Sequence, residues 1–254
     1  MKENVDLEFR QRKLEKHVNV YMIFLALIGL ICMIVCSGIL FLMRQKLNEP
    51  TANDIFEDNI YSIVEIKAYT DDVGESFGTA EFIDKGGTLV TNAHVVTYKS
   101  LGESVAFENI TIRFCFEEDY RSVSLIKYDT KLDIAILQLD DLNCNFKPMK
   151  MGDNSRLKNG DKIYGIGNLN NVGISITEGI VSNSNITVTH NDVTREVIQC
   201  DLTIAEGNSG GSLVDATGKL IGITTFRLKD SSGNVIYGIS YCIPINTVLE
   251  YINN

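Results

Sequence analysis

The sequence of 254 residues carries a formal net charge of −10, with 44% hydrophobic residues and only three Pro. Its length suits one or two domains. From residue 48 onward, 16 Lys and Arg stand against 29 Asp and Glu. This acidic balance argues against nucleic acid or anionic lipid as a partner of that part of the chain.

The first predicted element is a transmembrane helix over residues 18–43, which follows a polar segment of residues 1–17. Val20 to Met43 is a run of 24 residues without a charged side chain. As a helix it would measure about 36 Å, enough for a hydrocarbon core of about 30 Å. A cleavable signal peptide is the alternative. The apolar run is too long for a usual one, and the bulky sequence Phe41-Leu42-Met43 offers no small-residue cleavage site.

Basic residues predict the orientation of this helix. Five Lys and Arg precede it, and only Arg44 and Lys46 closely follow it. The positive-inside rule therefore predicts a cytoplasmic N-terminus, a single pass through the cell membrane and an extracytoplasmic remainder. Residues 44–58 are predicted to be a short linker, and residues 59–254 a separate domain.

Residues 59–254 predict many short strands, because hydrophobic side chains alternate with polar ones between turn signals. In Ile110–Phe116, for example, every second side chain is Ile or Phe, which predicts one buried face. A short helix is predicted at Val248–Ile252. Strands at this spacing favour a sandwich or a barrel. The predicted strands are Ser62–Tyr69, Gly78–Asp84, Thr88–Asn92, Ile110–Phe116, Arg121–Tyr128, Asp133–Leu139, Lys162–Gly165, Ile174–Ser182, Ile186–Thr189, Val197–Leu202, Ser212–Val214, Leu220–Phe226 and Val235–Ile243.

The segment Gly207-Asn208-Ser209-Gly210-Gly211 is the strongest candidate for chemistry. A serine hydroxyl is a poor nucleophile at neutral pH, so it needs a base beside it and donors for the oxyanion that forms. Gly207 lets the chain bend so that the backbone N–H groups of residues 207–209 can act as those donors. The alternative is a plain Gly-rich turn between strands, so the surrounding sequence has to decide.

Two upstream segments supply a candidate base and a candidate acid. His94 lies in the run Thr-Asn-Ala-His-Val-Val after a predicted strand, and Asp133 lies in the run Leu-Asp-Ile-Ala-Ile-Leu. With His94, Asp133 and Ser209 in this order, Ile60 to Ile252 resembles the chymotrypsin-fold serine peptidases, most closely the HtrA/DegP-like group. Weaker matches lie at Gly165–Asn168, Thr177–Ser182 and Ile243–Asn246.

The resemblance implies an all-β fold of two six-stranded antiparallel β-barrels, with one transmembrane helix before them and a short C-terminal helix after them. Barrel one would cover about residues 59–147 and barrel two about residues 157–245, with the site in the cleft between them. His94 would be the general base, Asp133 its orienting acid and Ser209 the nucleophile. The implied function is a membrane-tethered serine endopeptidase that cleaves extracytoplasmic proteins, including misfolded ones.

The resemblance also indicates which segments shape the primary pocket. No acid stands at Thr203, so we expect a preference for small or medium aliphatic residues rather than Lys or Arg. Asn208 replaces the acid that digestive trypsin-like enzymes carry before the nucleophile, so no activation by cleavage of a zymogen is expected. An extended substrate should pair with the strand after the nucleophile. The residues expected to bind substrate are Ile204, Thr224, Thr225 and Phe226.

The predicted partners are protein or peptide substrates and, through one helix, the membrane. No metal or nucleotide cofactor is expected, because no Cys/His cluster has zinc spacing and no Gly-rich phosphate loop joins a strand to a helix. HtrA-like proteins usually carry PDZ domains after the peptidase. Here the sequence reaches Asn254 directly after the last predicted helix, so no PDZ domain is expected. The resemblance also suggests a trimer, but residues 51–59 contain no recognisable trimer-forming segment.

Three questions stay open at this point. A catalytically silent module that binds peptides or senses a ligand is the alternative to an enzyme. An esterase is the alternative to a peptidase, because the same three residues permit both reactions. The pairing of Cys115, Cys144, Cys200 and Cys242 cannot be decided from their spacing.

Overall fold

The computed structural model describes residues 2–47, 49–190, 192–229 and 234–254. The chain forms two compact units, Met1–Glu49 and Pro50–Asn254.

The first unit is a single helix, α1 (Lys2–Leu47). Within it, Arg12–Arg44 contains an 18-residue window with a mean hydropathy of 2.9 and is long and apolar enough to cross a membrane. Its apolar side chains are exposed on all sides, and Leu25 and Phe41, for instance, are 60% and 62% exposed. A helix that is hydrophobic all round suits a lipid environment. The helix begins well before residue 18 because the polar segment is rich in Glu, Lys, Arg and Leu, which favour helix.

The second unit contains two closed barrels. The strands of its first half are β1 (Ile63–Thr70), β2 (Gly74–Phe82), β3 (Thr88–Thr91), β4 (Thr97–Ser100), β5 (Glu103–Ala106), β6 (Asn109–Arg113), β7 (Arg121–Asp129) and β8 (Ile134–Leu139). Barrel one has the order β1, β2, β3, β8, β7, β6, and β4 pairs with β5 in a separate hairpin.

The strands of the second half are β9 (Lys162–Asn168), β10 (Ile174–His190), β11 (Val193–Cys200), β12 (Ser212–Asp215), β13 (Leu220–Lys229) and β14 (Val235–Pro244). Barrel two has the order β10, β11, β14, β13, β12, β9, and its neighbouring strands are antiparallel. The helices of the unit are α2 (Ala52–Asn59), the single turn α3 (Ala93–Val96) and α4 (Ile245–Asn253). The prediction of two six-stranded antiparallel barrels is confirmed.

Three apolar clusters hold this unit together. One fills barrel one, where the rings of Phe82 and Phe114 stack with centroids 5.9 Å apart. A second fills barrel two, where the buried sulfur atoms of Cys200 and Cys242 lie 3.8 Å apart as free thiols. The third, which we call the joint cluster, lies between the barrels. It unites Val90, Ile136, Ile166, Ile223 and further residues with side chains of α2 and α4.

Several local elements differ from the sequence prediction. A helix, α2, lies in the predicted linker and begins with a capping box, in which the Thr51 hydroxyl accepts from the Asp54 N–H and the Asp54 carboxylate accepts from the Thr51 N–H. The hairpin β4–β5 was not predicted, since its residues lack a clear alternation. Phe116 is 48% exposed, because β6 ends at Arg113.

Other differences concern the extent of elements. β10 is one continuous strand with register shifts rather than two strands, because bulges interrupt its pairing without ending it. The terminal helix α4 begins directly after Pro244 and is longer than predicted. Its buried residues, Ile245 and Val248, lie in the joint cluster.

Candidate functional site

His94 lies on the single helical turn that follows β3. Its neighbours Ala93, Val95 and Val96 are buried, and the last two lie in the barrel-one cluster. Because these three neighbours are buried, His94 is the residue of the turn that faces solvent, and its side chain is 49% exposed. The sequence therefore fixes the backbone of this histidine in a rigid barrel while its ring faces solvent.

Asp133 lies immediately before β8, and its carboxylate meets the ring of His94. The distances from His94 Nδ1 to Asp133 Oδ2 and Oδ1 are 2.9 and 3.0 Å, and the His94 backbone N–H also donates to Oδ1, at 3.1 Å. The Thr225 hydroxyl donates to Oδ2 at 2.7 Å. Asp133 has a φ of +60°, a backbone conformation that non-glycine residues rarely adopt. The Asn92 side chain supports it by donating to the Asp133 carbonyl at 3.0 Å.

Opposing effects set the pKa of the Asp133 carboxyl. Burial, the largest single effect, raises the pKa because the ionised form loses its water. The charge of His94 and hydrogen bonds from His94 and Thr225 act in the other direction, and the net result is a pKa below its usual value. Asp133 is therefore ionised at neutral pH, the form that can hold the imidazole ring in one orientation.

Ser209 lies in the tight turn between β11 and β12, next to Thr225. Its hydroxyl donates to the Thr225 carbonyl at 3.3 Å, so one residue of β13 contacts both Ser209 and Asp133. Among the described residues, the serine hydroxyl and the His94 ring share no hydrogen bond. Gly210 has a φ of +79°, and a Cβ there would lie 2.1 Å from Thr91 Oγ1, so only glycine fits.

The backbone before Ser209 leaves two N–H groups available. The Glu206 carbonyl accepts from the Asn170 N–H at 2.7 Å. In a planar trans peptide the carbonyl and the following N–H point in opposite directions, so the Gly207 N–H points away from Asn170. Among the described residues, the N–H groups of Gly207 and Ser209 have no acceptor. The Asn208 N–H instead donates to the Ala205 carbonyl at 3.1 Å.

The strand β2 of barrel one holds this turn of barrel two in place through Thr79. The Thr79 hydroxyl donates to the Gly207 carbonyl at 2.7 Å and accepts from the Asn168 N–H at 2.9 Å. Its backbone N–H donates to the Ser209 carbonyl at 2.9 Å. The sequence prediction missed Thr79, because its partners lie far along the chain and no local pattern signals them.

Two cavities flank the three candidate residues. One, of about 360 Å³, is lined by Thr203, Ile204, Ala205, Arg227, Tyr237 and neighbouring residues. The other, of about 470 Å³, contains His94, Asp133, Thr225 and Phe226 in its wall.

The four residues expected to bind substrate take separate places around these cavities. Ile204 lines the smaller cavity, while Thr225 and Phe226 line the larger one. The Thr224 hydroxyl lines neither of the two and donates to the Asn208 and Gly211 carbonyls of the serine turn. The four residues expected to bind substrate are therefore divided between two cavities and the serine turn.

Comparisons with known proteins place this arrangement in a family. A family model described as a trypsin-like peptidase domain matches residues 78–223. The chain is 35% identical over 174 residues to a probable periplasmic serine endoprotease, DegP-like, of Buchnera aphidicola subsp. Baizongia pistaciae, covering 68% of this chain and 35% of that protein. It is also 35% identical over 176 residues to the periplasmic serine endoprotease DegP of Escherichia coli K12, covering 68% and 34%.

A plant protein and a solved structure extend these matches. The chain is 30% identical over 218 residues to Protease Do-like 1, chloroplastic, of Arabidopsis thaliana, covering 81% of this chain and 47% of that protein. The solved structure of the HtrA-type protease AlgW with tripeptide matches with a TM-score of 0.67 and 28% identity, over 80% of this chain and 63% of that one. The chain thus spans about a third of the bacterial relatives named above and about half of the plant one.

Proposed function

Because this chain belongs to the trypsin-like peptidases of the HtrA/DegP type, we propose that it is a serine endopeptidase anchored to a membrane by α1. The observation that carries this proposal is the Asp133 carboxylate, which binds both the ring and the backbone of His94. A carboxylate in that position holds the imidazole with Nε2 directed away from Asp133, where it can accept a proton.

In the proposed reaction, the Ser209 side chain rotates from the Thr225 carbonyl to His94. Its oxygen attacks the carbonyl carbon of a peptide bond while Nε2 takes the hydroxyl proton. The tetrahedral oxyanion is bound by the N–H groups of Gly207 and Ser209. His94 then gives the proton to the leaving amine, and a water molecule releases the acyl group by the same steps in reverse. Asn208 takes no part as a backbone donor, since its N–H is held by Ala205.

The smaller cavity is the proposed primary pocket. It lies against the backbone that precedes Ser209 and includes Thr203 and Ile204 in its wall. Among the described residues that line it, none carries a carboxylate, which supports the expectation that cleavage does not follow Lys or Arg. Ile204, Val235 and Ile236 form an aliphatic part of its wall, beside Arg227, and this part favours small or medium aliphatic side chains.

The proposed location follows from α1 and from the relatives. The bacterial relatives are named as periplasmic, and the basic residues before the apolar part of α1 favour an N-terminus in the cytoplasm. We therefore propose a single-pass protein whose peptidase unit lies outside the cytoplasm and acts on proteins there. The acidic balance of that unit disfavours nucleic acid as a partner.

A catalytically silent binding module is the second candidate, and the contact of the Ser209 hydroxyl with Thr225 rather than His94 favours it. A fluorophosphonate probe separates the two functions, because only an activated serine reacts with it. We expect the full chain in detergent to be labelled at Ser209, and Ser209→Ala and His94→Ala to lose the label. Ser182→Ala, at an exposed serine, is the matched control and should label like the wild type.

Absence of labelling in the wild type would favour the silent module. The reaction class is then decided by turnover, since a peptidase hydrolyses an internal peptide bond in a quenched peptide, whereas an esterase hydrolyses only the corresponding ester. We expect peptide hydrolysis that is lost in Ser209→Ala.

A further inference from the structure

The larger cavity beside the candidate triad has a wall made by four separate elements. The hairpin β4–β5, the turn before Asp133, the start of β11 and the strand β13 each contribute to it. Its volume of about 470 Å³ is large enough for several side chains of an extended peptide. We call it the cationic cleft. Its lining residues are His94, Thr97, Tyr98, Lys99, Ser104, Thr130, Lys131, Asp133, Val193, Arg195, Thr225 and Phe226.

The charge of the cationic cleft opposes that of the rest of the unit. Lys99, Lys131 and Arg195 line it, while the only carboxylate among the described lining residues is that of Asp133, which is buried and bound to His94. Neither lysine forms an ion pair with a carboxylate of the described residues. This concentration of positive charge is unusual in a unit whose acids far outnumber its bases, and a cleft of one sign attracts ligands of the other.

The nearby acidic residues Asp129, Glu196 and Glu103 are not among the lining residues of the cleft. The Asp129 carboxylate is engaged by the backbone N–H groups of Lys131 and Leu132, at 2.7 and 2.9 Å. Glu196 follows Arg195 in β11, so the two side chains point to opposite faces of the strand. Glu103 lies on β5 but is not among the lining residues.

Arg195 is fixed in position, and the two lysines are free to adapt. The Arg195 guanidinium donates to the carbonyl of Thr130, at 2.9 Å, and to that of Lys131. These bonds tie the β10–β11 hairpin to the turn that precedes Asp133 and leave further N–H groups of the guanidinium for a ligand. Lys99 and Lys131 are exposed, so their flexible side chains can reach a carboxylate that enters the cleft.

The position of the cleft decides which part of a substrate it would meet. β12 pairs with β13 only through Leu220–Ile223, and beyond that point Thr225 lies beside Ser209. A peptide whose reacting residue occupies the smaller cavity would run along β13 as an added strand. Its residues on the amino-terminal side of the cleaved bond would then pass Thr225 and Phe226, both of which line the cationic cleft.

We propose that the cationic cleft selects substrates with an Asp or Glu two to four residues before the cleaved bond on the amino-terminal side, through Lys99, Lys131 and Arg195. This inference rests on the proposed peptidase function and adds a substrate class to it. Exposed ion pairs are individually weak, so we expect two or three of them together to give a preference of about tenfold for Glu over Gln.

The test uses peptidyl phosphonates, which form a covalent adduct with an activated serine without needing turnover. The probes carry Val at the reacting position and Glu, Gln or Lys at each of the three preceding positions in turn. The rate of adduct formation on the full chain in detergent is followed by intact mass. We expect Glu probes to react about tenfold faster than Gln probes and Lys probes to react slowest. At about 1 M salt, where the Debye length falls to about 3 Å, the difference should shrink several-fold.

Variants identify the residues responsible. In Lys99→Gln combined with Lys131→Gln, the ratio of Glu to Gln rates should fall towards one, and in Arg195→Lys it should fall less. Lys85→Gln, at an exposed lysine outside the cleft, is the matched control and should keep the wild-type ratio. Equal rates for Glu and Gln probes, with normal labelling by a plain fluorophosphonate, would overturn this inference and leave the peptidase function standing. Failure of every probe to label Ser209 would overturn both.

Discussion

Glu81 is a carboxylic acid in the apolar joint between the two barrels. It lies directly opposite Ile63 and Val90 on the neighbouring strands, and both of those side chains belong to the joint cluster. Glu81 is fully buried, and neither carboxylate oxygen has a hydrogen-bond partner among the described residues. Burial raises the pKa of this carboxyl well above its usual value, so Glu81 is held protonated in the folded protein.

The substitution Glu81→Gln should change how stability depends on pH. The unfolded wild type releases the proton above about pH 4.3, whereas the folded protein retains it. The contribution of Glu81 to the free energy of unfolding is therefore complete below that pH. It falls by up to about 1.4 kcal/mol per pH unit until the pH passes the pKa of Glu81 in the folded protein. The measurement is urea unfolding of both proteins between pH 5 and 8. The unfolding free energy of Glu81→Gln minus that of the wild type should increase steadily as the pH rises.

The matched control for this measurement is Glu57→Gln, because Glu57 is exposed on α2. This variant should follow the wild type across the whole pH range. A constant difference between Glu81→Gln and the wild type would show that Glu81 is ionised in the folded protein, against our expectation.

At the level of single residues, the sequence indicated the three candidate catalytic residues but not the residues that hold them in position. His94, Asp133 and Ser209 lie in local runs that resemble a family, so each was assigned a predicted role. Thr79 and Thr225 reach their partners across 128 and 92 positions, and no local pattern encodes such contacts. Nothing in the local sequence marks Glu81 as buried, and only the fold shows that its side chain is.

Among the elements, β2 has the most direct influence on the serine turn. Because Thr79 joins Gly207, Ser209 and Asn168, the geometry of a turn in barrel two depends on a strand of barrel one. The two N–H groups proposed to bind the oxyanion belong to that turn. An element far away in sequence thus sets the positions of the groups that would stabilise the transition state.

We predict that Thr79→Val lowers both stability and labelling of Ser209. The variant keeps the shape of the side chain but leaves the Asn168 N–H and the Gly207 carbonyl without their partner, at a cost of about 1–3 kcal/mol. Displacement of the turn should slow fluorophosphonate labelling on the order of tenfold or more. Labelling rate and Tm are the measurements.

Thr79→Ser retains the hydroxyl and is the control for this prediction. It should label at close to the wild-type rate, with a modest loss of stability from the missing methyl group. If the Val and Ser variants labelled equally fast, the hydroxyl of residue 79 would have no part in ordering the turn.

The sequence predicted the long strands of both barrels but not all the smaller elements. Strands such as β1, β8 and β14 have dense hydrophobic runs that decide their state locally. β4 and β5 are short and half-exposed, so their pairing depends on the turn that joins them and on the barrel beneath. The helix α2 was hidden because its start signal, Thr51 followed by Asp54, follows a proline in a polar stretch.

At the scale of the whole molecule, the chain divides into an apolar helix and a barrel unit with its own core. The barrel unit, Pro50–Asn254, contains all three apolar clusters and both cavities. Each cluster is complete without any residue of α1. A unit of this size with its own core is expected to fold alone.

We predict that residues 50–254, expressed without the helix, remain in solution without detergent and label with fluorophosphonate within about twofold of the full chain. The full chain should sediment with membranes and require detergent for release. Ultracentrifugation followed by labelling of both fractions gives the result. Sedimentation of the shortened chain with membranes would contradict the assignment of α1 as the sole anchor.

The double-barrel architecture was predicted from a resemblance that spans the domain, and the two closed barrels of six strands confirm it. Composition and periodicity alone left a sandwich and a barrel equally open, because both bury one face of each strand. The larger cavity was beyond prediction, since its three cationic side chains come from three elements distant in the sequence: β4, the turn before Asp133 and β11.

The hydrogen bond between the Ser209 hydroxyl and the Thr225 carbonyl has a kinetic consequence. In the proposed reaction the Ser209 side chain has to leave this idle conformer to reach His94, and the acceptor in the idle conformer belongs to the strand along which we expect a substrate to lie. A good peptide ligand would therefore compete for that carbonyl and release the hydroxyl as it docks. Small electrophiles, which make no such contact, would still label Ser209, but more slowly than a peptide probe that docks along the strand.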